Sequence, residues 1–261
     1  MAQLPQPAPE PAPITPPEDV DYPGTIELTV DATDIARGIF HAREILPVRG
    51  GRPLTLLYPK WLPGYHAPQS PIASLTGLEV VAHGKRIPWR RDDVEVYAFH
   101  IEVPEGAERL ELTFQFVSPT HPAQGRIAVS TEMLNLQWNT LILYPAGHFS
   151  RRIRVAASVK LPEGWRYGCA LEHATLDGGM TRFAPVALDV LVDSPLFTGK
   201  HYRSIDLDAS VRLNLVADRA DLLEATRAQI DLHRALIVQA DKLFGSRPPT
   251  IRSWGSDHAS S

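Results

Sequence analysis

A chain of 261 residues, 44% of them hydrophobic and 21% charged, is long enough to bury one large β core or two smaller cores. Its net charge of −4 offers no basic surface for nucleic acid, and no apolar run reaches the roughly 18 residues of a membrane-spanning helix. The single cysteine, Cys169, excludes an internal disulfide and a four-thiolate metal site, so we interpret it as a small buried side chain.

The chain begins with a proline-rich segment, residues 1–23, which holds eight of the 24 prolines. Because prolines interleaved with Ala, Gln and Glu build no packed core, we predict an extended, mostly disordered lead-in. The segment has neither the charged start nor the apolar run of a signal peptide, although its composition would suit a start exposed by signal removal. Two locations therefore stay open: periplasmic or secreted if a signal peptide was removed or lost, and cytoplasmic otherwise.

Residues 24–217 carry the pattern of β-strands, in which apolar residues alternate with polar ones. The alternating apolar residues are Ile26, Leu28 and Val30, then Tyr97, Phe99, Ile101 and Val103, then Leu110, Leu112, Phe114 and Phe116, then Ile153, Val155, Ala157 and Val159, and last Val211, Leu213 and Leu215. Glycine- and proline-containing turns separate these runs, and no helical pattern intervenes. The pattern predicts a mainly β fold, an antiparallel β-sandwich of two sheets.

The periodicity changes after this domain, and the segment 218–245 is predicted to hold one C-terminal α-helix over residues 221–244. Asp221 followed by Glu224 three residues later matches a capping box, and Gly245 is a good residue to end the helix. The apolar positions of the helix cover more than one narrow stripe. A helix of this kind usually packs against more than one neighbour.

The residues after the helix, 246–261, are predicted to form an irregular tail. They are too polar and too few to cover the helix, so we expect exposed apolar surface that favours self-association. Asp257, His258 and Ser260 are close in this tail, but nothing would hold their geometry at a frayed terminus.

Motif searches find no self-contained catalytic site. The zinc-peptidase string His-Glu-x-x-His, the G-x-S-x-G elbow and a glycine-rich phosphate loop are all absent. The pattern "HARE", with His41 and Glu44, lacks a second histidine, and Asp206 with Asp208 needs no catalytic explanation. We assign no catalytic and no metal-ligating residue, and we leave open an active hydrolase with an unfamiliar site.

One loop stands out by its composition, "YPKWLPGYHAPQSP" at 58–71, with four prolines between two predicted strands. Its prolines and glycine predict a stiff corner whose tryptophan covers the core. The residues that could face a cleft or an interface are Trp61, Pro63, Gly64, Tyr65 and His66.

The same loop carries a family resemblance, which continues through most of the chain. The matching segments are "YPKWLPGYHAPQSPIASLTGLEV", "IPWRRDDVEVYAFHIEVPEGAERLELTFQFVSP", "LNLQWNTLILYPAG", "VLVDSPLFTGKHYRSIDL" and "RALIVQADKLFG". In this order they resemble the N-terminal part of the glycyl aminopeptidase family. Members of this family are PDZ-containing, thermolysin-like zinc metallopeptidases whose domain plan is similar to that of aminopeptidase N.

The resemblance implies that this chain is a non-catalytic N-terminal β domain followed by the first helix of a catalytic domain that it otherwise lacks. The catalytic domain would normally be the partner in cis, and a full-length relative would be a zinc metallo-aminopeptidase. Zinc is expected only in that domain, so no cofactor is expected in this chain. The alternative is a stand-alone β-sandwich module that binds carbohydrate, peptide or a partner protein through Trp61, Tyr65, Trp89 and Trp138.

Overall fold

The structure is a computed structural model that describes residues 13–62, 64, 66–171 and 173–245. The strands in order are Thr25–Asp34 (β1), Ile39–Pro47 (β2), Pro53–Leu57 (β3), Leu75–Ala82 (β4), Lys85–Ile87 (β5), Trp89–Arg91 (β6), Ala98–Glu102 (β7), Arg109–Val117 (β8), Met133–Leu136 (β9), Tyr144–Pro145 (β10), Arg154–Lys160 (β11), Arg166–Gly168 (β12), His173–Asp177 (β13), Met180–Phe183 (β14), Val186–Ala187 (β15), Leu196–Gly199 (β16), His201–Asp206 (β17) and Arg212–Ala217 (β18). The α-helices are Leu188–Val192 (α1) and Arg227–Phe244 (α2), and single 3-10 turns form at Ile72–Ser74, Pro122–Gln124, Trp138–Thr140, Ser150–Arg152 and Ala220–Leu223. The fold is mainly β, as predicted.

These strands form four sheets within the described residues. The largest has the order β13-β14-β11-β1-β2-β8-β4-β5, with β15 also paired to β11. The second has the order β10-β3-β7-β6, the third β12-β16-β9, and β17 pairs with β18. The predicted class is correct, but the short strands near the C-terminal side pair among themselves, which the prediction of two sheets did not include.

Alternation explains how the large sheet buries one face. Along β8 the apolar residues Leu110, Leu112, Phe114 and Phe116 are buried, while the residues between them are not. Each buried leucine or phenylalanine contributes about 1.5–3 kcal/mol through removal of apolar surface from water. All four belong to one continuous core, to which the second and third sheets also contribute.

One pairing in the large sheet is parallel, although the sequence predicted antiparallel sheets. β1 and β11 run in the same direction, with Ile26 opposite Val155. The hydroxyl oxygens of Thr29 and Ser158 are 3.1 Å apart across this pair and form a hydrogen bond. A run of alternating residues does not reveal the direction of its neighbour, so the pattern could not predict this pairing.

The described part of the 1–23 segment is attached to the fold, which differs from a disordered lead-in. Glu18 N donates to Gly147 O at 3.1 Å, and Tyr22 N donates to Arg152 O at 2.9 Å. Tyr22 is buried and packs into the core. Residues 1–12 lie outside the described residues.

The C-terminal helix ends as predicted but begins later. Gly245 ends α2 with φ 67°, a left-handed conformation that glycine adopts without steric cost. At its start, Thr226 and Gln229 form the capping box, whereas Asp221 lies in a 3-10 turn and Glu224 is extended. Both T-x-x-Q and D-x-x-E fit the capping pattern, and the sequence analysis chose the wrong one. No helix among the described residues is both long and apolar enough to cross a membrane.

Candidate functional site

The proline-rich corner lies between β3 and β4, where the sequence predicted it. Its first residue, Tyr58, is buried and donates its hydroxyl to Thr140 O at 3.2 Å. Gln69 N donates to Lys60 O at 3.2 Å, so the two arms of the loop are joined near its base. The ring of Tyr97 stacks on Tyr58, with the ring centroids 6.4 Å apart. The base of the corner is thus fixed by the core.

The tip of the corner is exposed, which corrects one expectation. Trp61 was predicted to cover the core, but 57% of its surface is exposed. Tyr58 fills the core position instead, and its hydroxyl has a buried acceptor there, Thr140 O. Gly64 has φ 88°, a backbone conformation that favours glycine, and His66 is exposed. Pro63 and Tyr65 lie outside the described residues.

A groove of about 740 Å³ runs beside Trp61, between this loop and α1. Lys60, Leu62 and Tyr144 form one side, and Asp189 and Asp193 belong to the other. Lys60 is engaged in an ion pair with Glu95. Burial, and secondarily the charge of Glu95, raises the pKa of Tyr144, so this phenol stays neutral. The groove combines apolar surface, an exposed indole and carboxylates, which suits a ligand or an adjoining domain.

The aromatic residues of the alternative binding module do not share one surface. Trp138 is fully buried and meets Phe183 edge-on. Trp89 is half-buried and donates its indole N–H to Leu78 O at 3.0 Å. Among the three described tryptophans of that set, Trp61 alone is exposed. A shared aromatic platform is therefore not formed by the described residues.

A chain of polar side chains that the sequence analysis missed connects β3, β7 and the turn after β6. His100 Nε2 lies 2.7 Å from Asp92 Oδ2, and His100 Nδ1 lies 3.1 Å from Thr55 Oγ1. The pKa of Asp92 is held well below its usual range by three hydrogen bonds to its carboxylate. In order of effect they come from the backbone N–H of Glu95, the side chain of His100 and the backbone N–H of Val94. Thr55 and His100 are 45 residues apart in sequence, so only the register of β3 with β7 brings them together, whereas Asp92 and His100 are eight residues apart.

The order carboxylate, imidazole, hydroxyl in this chain also occurs in nucleophile triads. Here Asp92 Oδ1 accepts two backbone N–H groups, at 2.9 Å from Val94 and 2.8 Å from Glu95, and so closes the turn before β7. None of the three side chains lines the Trp61 groove or the larger groove described below. We assign them a structural role.

Glu44 has the most unusual environment of any described carboxyl. It is fully buried on β2, and its Oε1 accepts Leu143 N–H at 2.7 Å. Its Oε2 has no hydrogen-bonding partner among the described residues. Burial raises the pKa of Glu44 well above its ordinary value, and the bond from Leu143 only partly opposes this. Burial therefore favours the protonated form of this carboxyl.

The remaining sequence candidates have structural explanations. Cys169 is buried, and burial raises the pKa of its thiol to about 11, so it is not an activated nucleophile. Asp206 pairs with Arg212, and Asp208 accepts Ser210 N–H in the hairpin turn. Asp257, His258 and Ser260 lie outside the described residues. Over the described ranges, no three His, Cys, Asp or Glu side chains come together as metal ligands.

A second surface with apolar character lies on α2. Ile230, Arg234 and Ile237 are half-buried on the inner side of the helix, and Arg234 donates to Leu207 O at 3.2 Å. The opposite side carries three leucines at helical spacing, which we call the outer stripe; their exposed fractions are 71% for Leu232, 66% for Leu236 and 77% for Leu243. Three leucines exposed on one helical face form a continuous apolar stripe and are not scattered surface residues.

A groove of about 1040 Å³ lies between α2, β18 and β9, and we call it the β18 groove. Phe197, Leu213 and Leu215 contribute apolar wall, and Leu236 of the outer stripe reaches its rim. The outer stripe and the β18 groove are thus parts of one apolar surface at the C-terminal end of the described chain.

A family model described as Peptidase M61 N-terminal domain matches residues 27–200. The match therefore includes the large sheet and the Trp61 corner, and it ends just before β17. No curated protein gives a significant match.

Two solved structures that are similar to this chain are an aminopeptidase N family protein and a yeast hydrolase. An aminopeptidase N family protein from Idiomarina loihiensis is similar over 86% of this chain and 37% of that chain, with 14% identity and a TM-score of 0.67. Native LTA4 hydrolase from yeast is similar over 86% of this chain and 35% of that chain, with 11% identity and a TM-score of 0.47. At these identities the likeness concerns the fold. The chain spans about 37% of the length of the first of these structures.

Proposed function

The chain belongs to the Peptidase M61 N-terminal domain family, and from that membership we propose that its β domain is the non-catalytic N-terminal domain of a glycyl-aminopeptidase-like zinc metallopeptidase. Its role is to support a catalytic domain, which docks on the outer stripe of α2. The Trp61 corner, fixed at its base and exposed at its tip, is proposed to face the cleft of that domain.

The observation that carries this proposal is the exposed apolar surface of α2. Within the described residues the helix contains no buried residue, although its inner side rests on the β17–β18 hairpin. A helix with apolar residues on two sides is stable when both sides are covered. Covering each exposed leucine of the outer stripe would contribute up to about 1.5–3 kcal/mol. A neighbouring domain is the natural source of that cover.

The chemistry of the peptidase is assigned to the catalytic domain. The described residues do not fit a zinc site, since no three His, Cys, Asp or Glu side chains converge among them. We therefore derive no zinc-dependent step from this domain. Its proposed contribution is to hold the catalytic domain in position and to form one wall of the substrate cleft.

A second candidate function has one observation in its favour. The exposed indole of Trp61 beside a groove of about 740 Å³ suits a stand-alone module that binds carbohydrate, peptide or a partner protein. The dispersed positions of Trp89 and Trp138 argue against a shared aromatic platform. Binding that depends on Trp61 and needs no catalytic domain would favour this candidate.

Calorimetric titration tests the proposed function. The full chain is titrated with the separately expressed catalytic domain of a glycyl-aminopeptidase-family zinc peptidase, and one-to-one binding is expected. The double variant Leu232→Gln, Leu243→Gln should weaken it at least about tenfold, because two buried contacts are lost. Leu176→Gln replaces a leucine that is 58% exposed on β13, away from α2; it is the control and should bind normally. Absence of binding would overturn the proposed docking.

A second measurement concerns the absence of catalysis. The full chain alone is expected to hold no stoichiometric zinc in metal analysis and to leave glycyl-p-nitroanilide intact. One tightly held zinc per chain together with hydrolysis would contradict the non-catalytic role.

A further inference from the structure

The β17–β18 hairpin forms a sheet of two strands only. In the part of the chain that the structure describes, β18 pairs with β17 and with no other strand. Isolated two-stranded sheets are marginally stable in water and are usually extended by further strands or covered by other elements. One edge of β18 therefore presents backbone groups that a further strand could use.

The hydrogen-bond phase of the hairpin identifies those groups. Leu207 N donates to Val211 O at 2.9 Å, so these two residues face each other at the turn. In an antiparallel pair, successive residues point their backbone groups alternately toward the partner strand and away from it. The backbone N–H and C=O groups of Leu213 and Leu215 thus point toward β17. The N–H and C=O groups of Asn214 point outward.

Val216 continues this phase, so its N–H and C=O groups also point to the outer edge. Neither Asn214 nor Val216 has a backbone hydrogen bond to another described strand or loop at that edge. Opposite the edge lies the β18 groove, whose wall includes every residue from Val211 to Val216. Adjacent strands lie about 4.8 Å apart, so a strand paired to this edge would run along the groove.

The groove walls match an extended chain with apolar side chains at every second residue. Ile127, Met133, Phe197 and Ile237 line it together with the leucines of β18. Phe197 is 40% exposed, which is costly for a phenylalanine unless a partner covers it. Apolar walls beside an open ladder favour a strand over a helix, because only a strand satisfies the backbone groups of the edge.

Two amide side chains in the groove wall add a donor and an acceptor. Asn135 Oδ1 and Asn214 Nδ2 have no hydrogen-bonding partner among the described residues. An extended peptide carries one N–H and one C=O on each residue, which are the complementary groups. Both atoms are buried, and Asn214 Oδ1 already accepts the hydroxyls of Tyr202 and Ser204, so Asn214 can turn toward the groove only by giving up those two bonds.

We propose that the outer edge of β18 binds an extended polypeptide strand, with apolar side chains at alternate positions, that lies in the β18 groove and continues the β17–β18 sheet. The proposal deepens the proposed function and rests on it only for the source of the strand, a segment of the adjoining domain. The open edge of β18 and the apolar walls of the β18 groove favour a strand whatever its source.

Binding of a synthetic strand to the full chain alone tests the proposal without any catalytic domain. The probe is acetyl-Lys-Thr-Val-Thr-Val-Thr-Val-Lys-amide, titrated while amide hydrogen exchange is followed by NMR. The expected result is saturable binding with slower exchange at Asn214 and Val216. Exchange at Leu213 and Leu215, whose N–H groups already bond to β17, should change little. Absence of binding, or protection elsewhere only, would overturn the proposal.

Two N-methylated versions of the probe provide the matched control. One is methylated on the valine amides and the other on the threonine amides, so each loses the hydrogen bonds of one strand edge. One version should bind at least about tenfold more weakly than the other, because two or three ladder bonds are lost. Equal affinities would show that backbone pairing is not the mode of binding and would overturn the proposal.

A proline substitution tests the protein side. Val216→Pro removes an outward N–H, which the hairpin itself does not use, and edge strands tolerate proline at such positions. The variant should fold and lose the probe, whereas Val216→Ala should fold and keep it. If Val216→Pro does not fold, the N-methyl pair decides. Light scattering could instead reveal a dimer of the full chain, with the Val216 amide protected from exchange. That result would mean that a second copy of the chain occupies this edge, and it would contradict the proposal.

Discussion

The β domain and the C-terminal segment 201–245 bury their apolar residues to very different extents. In β8, Leu112 is fully buried, and every strand of the large sheet that we predicted by alternation contributes to one core. In α2, Leu232 is 71% exposed, and the helix contains no buried residue. The family match covers the first region and ends at residue 200. The difference teaches that the first region closes its own core, whereas the second leaves apolar side chains exposed.

A Leu→Ala substitution in each region should give the largest difference in the free energy of unfolding. Leu112→Ala removes a fully buried side chain and should lower the free energy of unfolding by about 2–5 kcal/mol. Leu232→Ala removes an exposed one and should change it by less than about 0.5 kcal/mol. Urea unfolding of the two variants measures this. Equal losses would show that α2 is part of the same cooperative core.

The buried carboxyl of the β domain should make its stability depend on pH. The folded chain keeps Glu44 protonated to a higher pH than the unfolded chain, because burial raises the pKa. The free energy of unfolding should therefore be highest below the ordinary pKa of glutamate. It should fall as the pH rises toward the raised pKa, by up to about 1.4 kcal/mol per pH unit.

Glu44→Gln should remove this slope, since a neutral amide keeps the bond from Leu143 and does not titrate. Urea unfolding at several pH values measures it. Glu27→Gln, an exposed glutamate on the neighbouring β1, is the control and should keep the slope of the native chain. A Glu44→Gln variant with an unchanged slope would contradict the buried protonated state.

In the C-terminal segment, a smaller effect is expected at the cap of α2. Thr226→Ala removes the side chain that accepts Gln229 N–H and should cost about 1 kcal/mol of helix stability. Amides of α2 should then exchange about fivefold faster, while exchange in β8 stays unchanged. Thr226→Ser keeps the hydroxyl and should behave like the native chain. Faster exchange in both regions would mean that they unfold together.

The smallest effect is expected at Trp61, which is exposed at the tip of the proline-rich corner. Trp61→Ala should change the free energy of unfolding by less than about 0.5 kcal/mol, because the indole is mostly exposed. Tyr58→Phe removes the buried bond to Thr140 and should cost about 1 kcal/mol. Thermal and urea unfolding check both. A loss above about 2 kcal/mol for Trp61→Ala would restore the idea that it covers the core.

The sequence predicted what depends on local pattern and missed what depends on distant pairing. Alternation identified the buried residues of β8, and Gly245 identified the end of α2, because period and left-handed glycine are local signals. The predicted helix start was wrong, since two neighbouring segments, 221–224 and 226–229, both fit a capping box and the sequence pattern does not decide between them.

The site was less predictable than the fold for the same reason. The corner was located, but composition could not show that Tyr58 fills the core while Trp61 is exposed. The bond between His100 and Thr55 joins strands 45 residues apart and leaves no trace in spacing. The open edge of β18 depends on which strands are its neighbours, and alternation does not contain that information.

Amide hydrogen exchange of the full chain, alone and with the catalytic domain of a glycyl-aminopeptidase-family peptidase, tests the central claim most directly. The account predicts low protection of α2 and of the outer-edge amides of β18 in the free chain, and high protection in β1, β2 and β8. On addition of the catalytic domain, protection should rise in 201–245 and stay constant in the large sheet. Core-like protection of α2 in the free chain, or no change on addition, would contradict it.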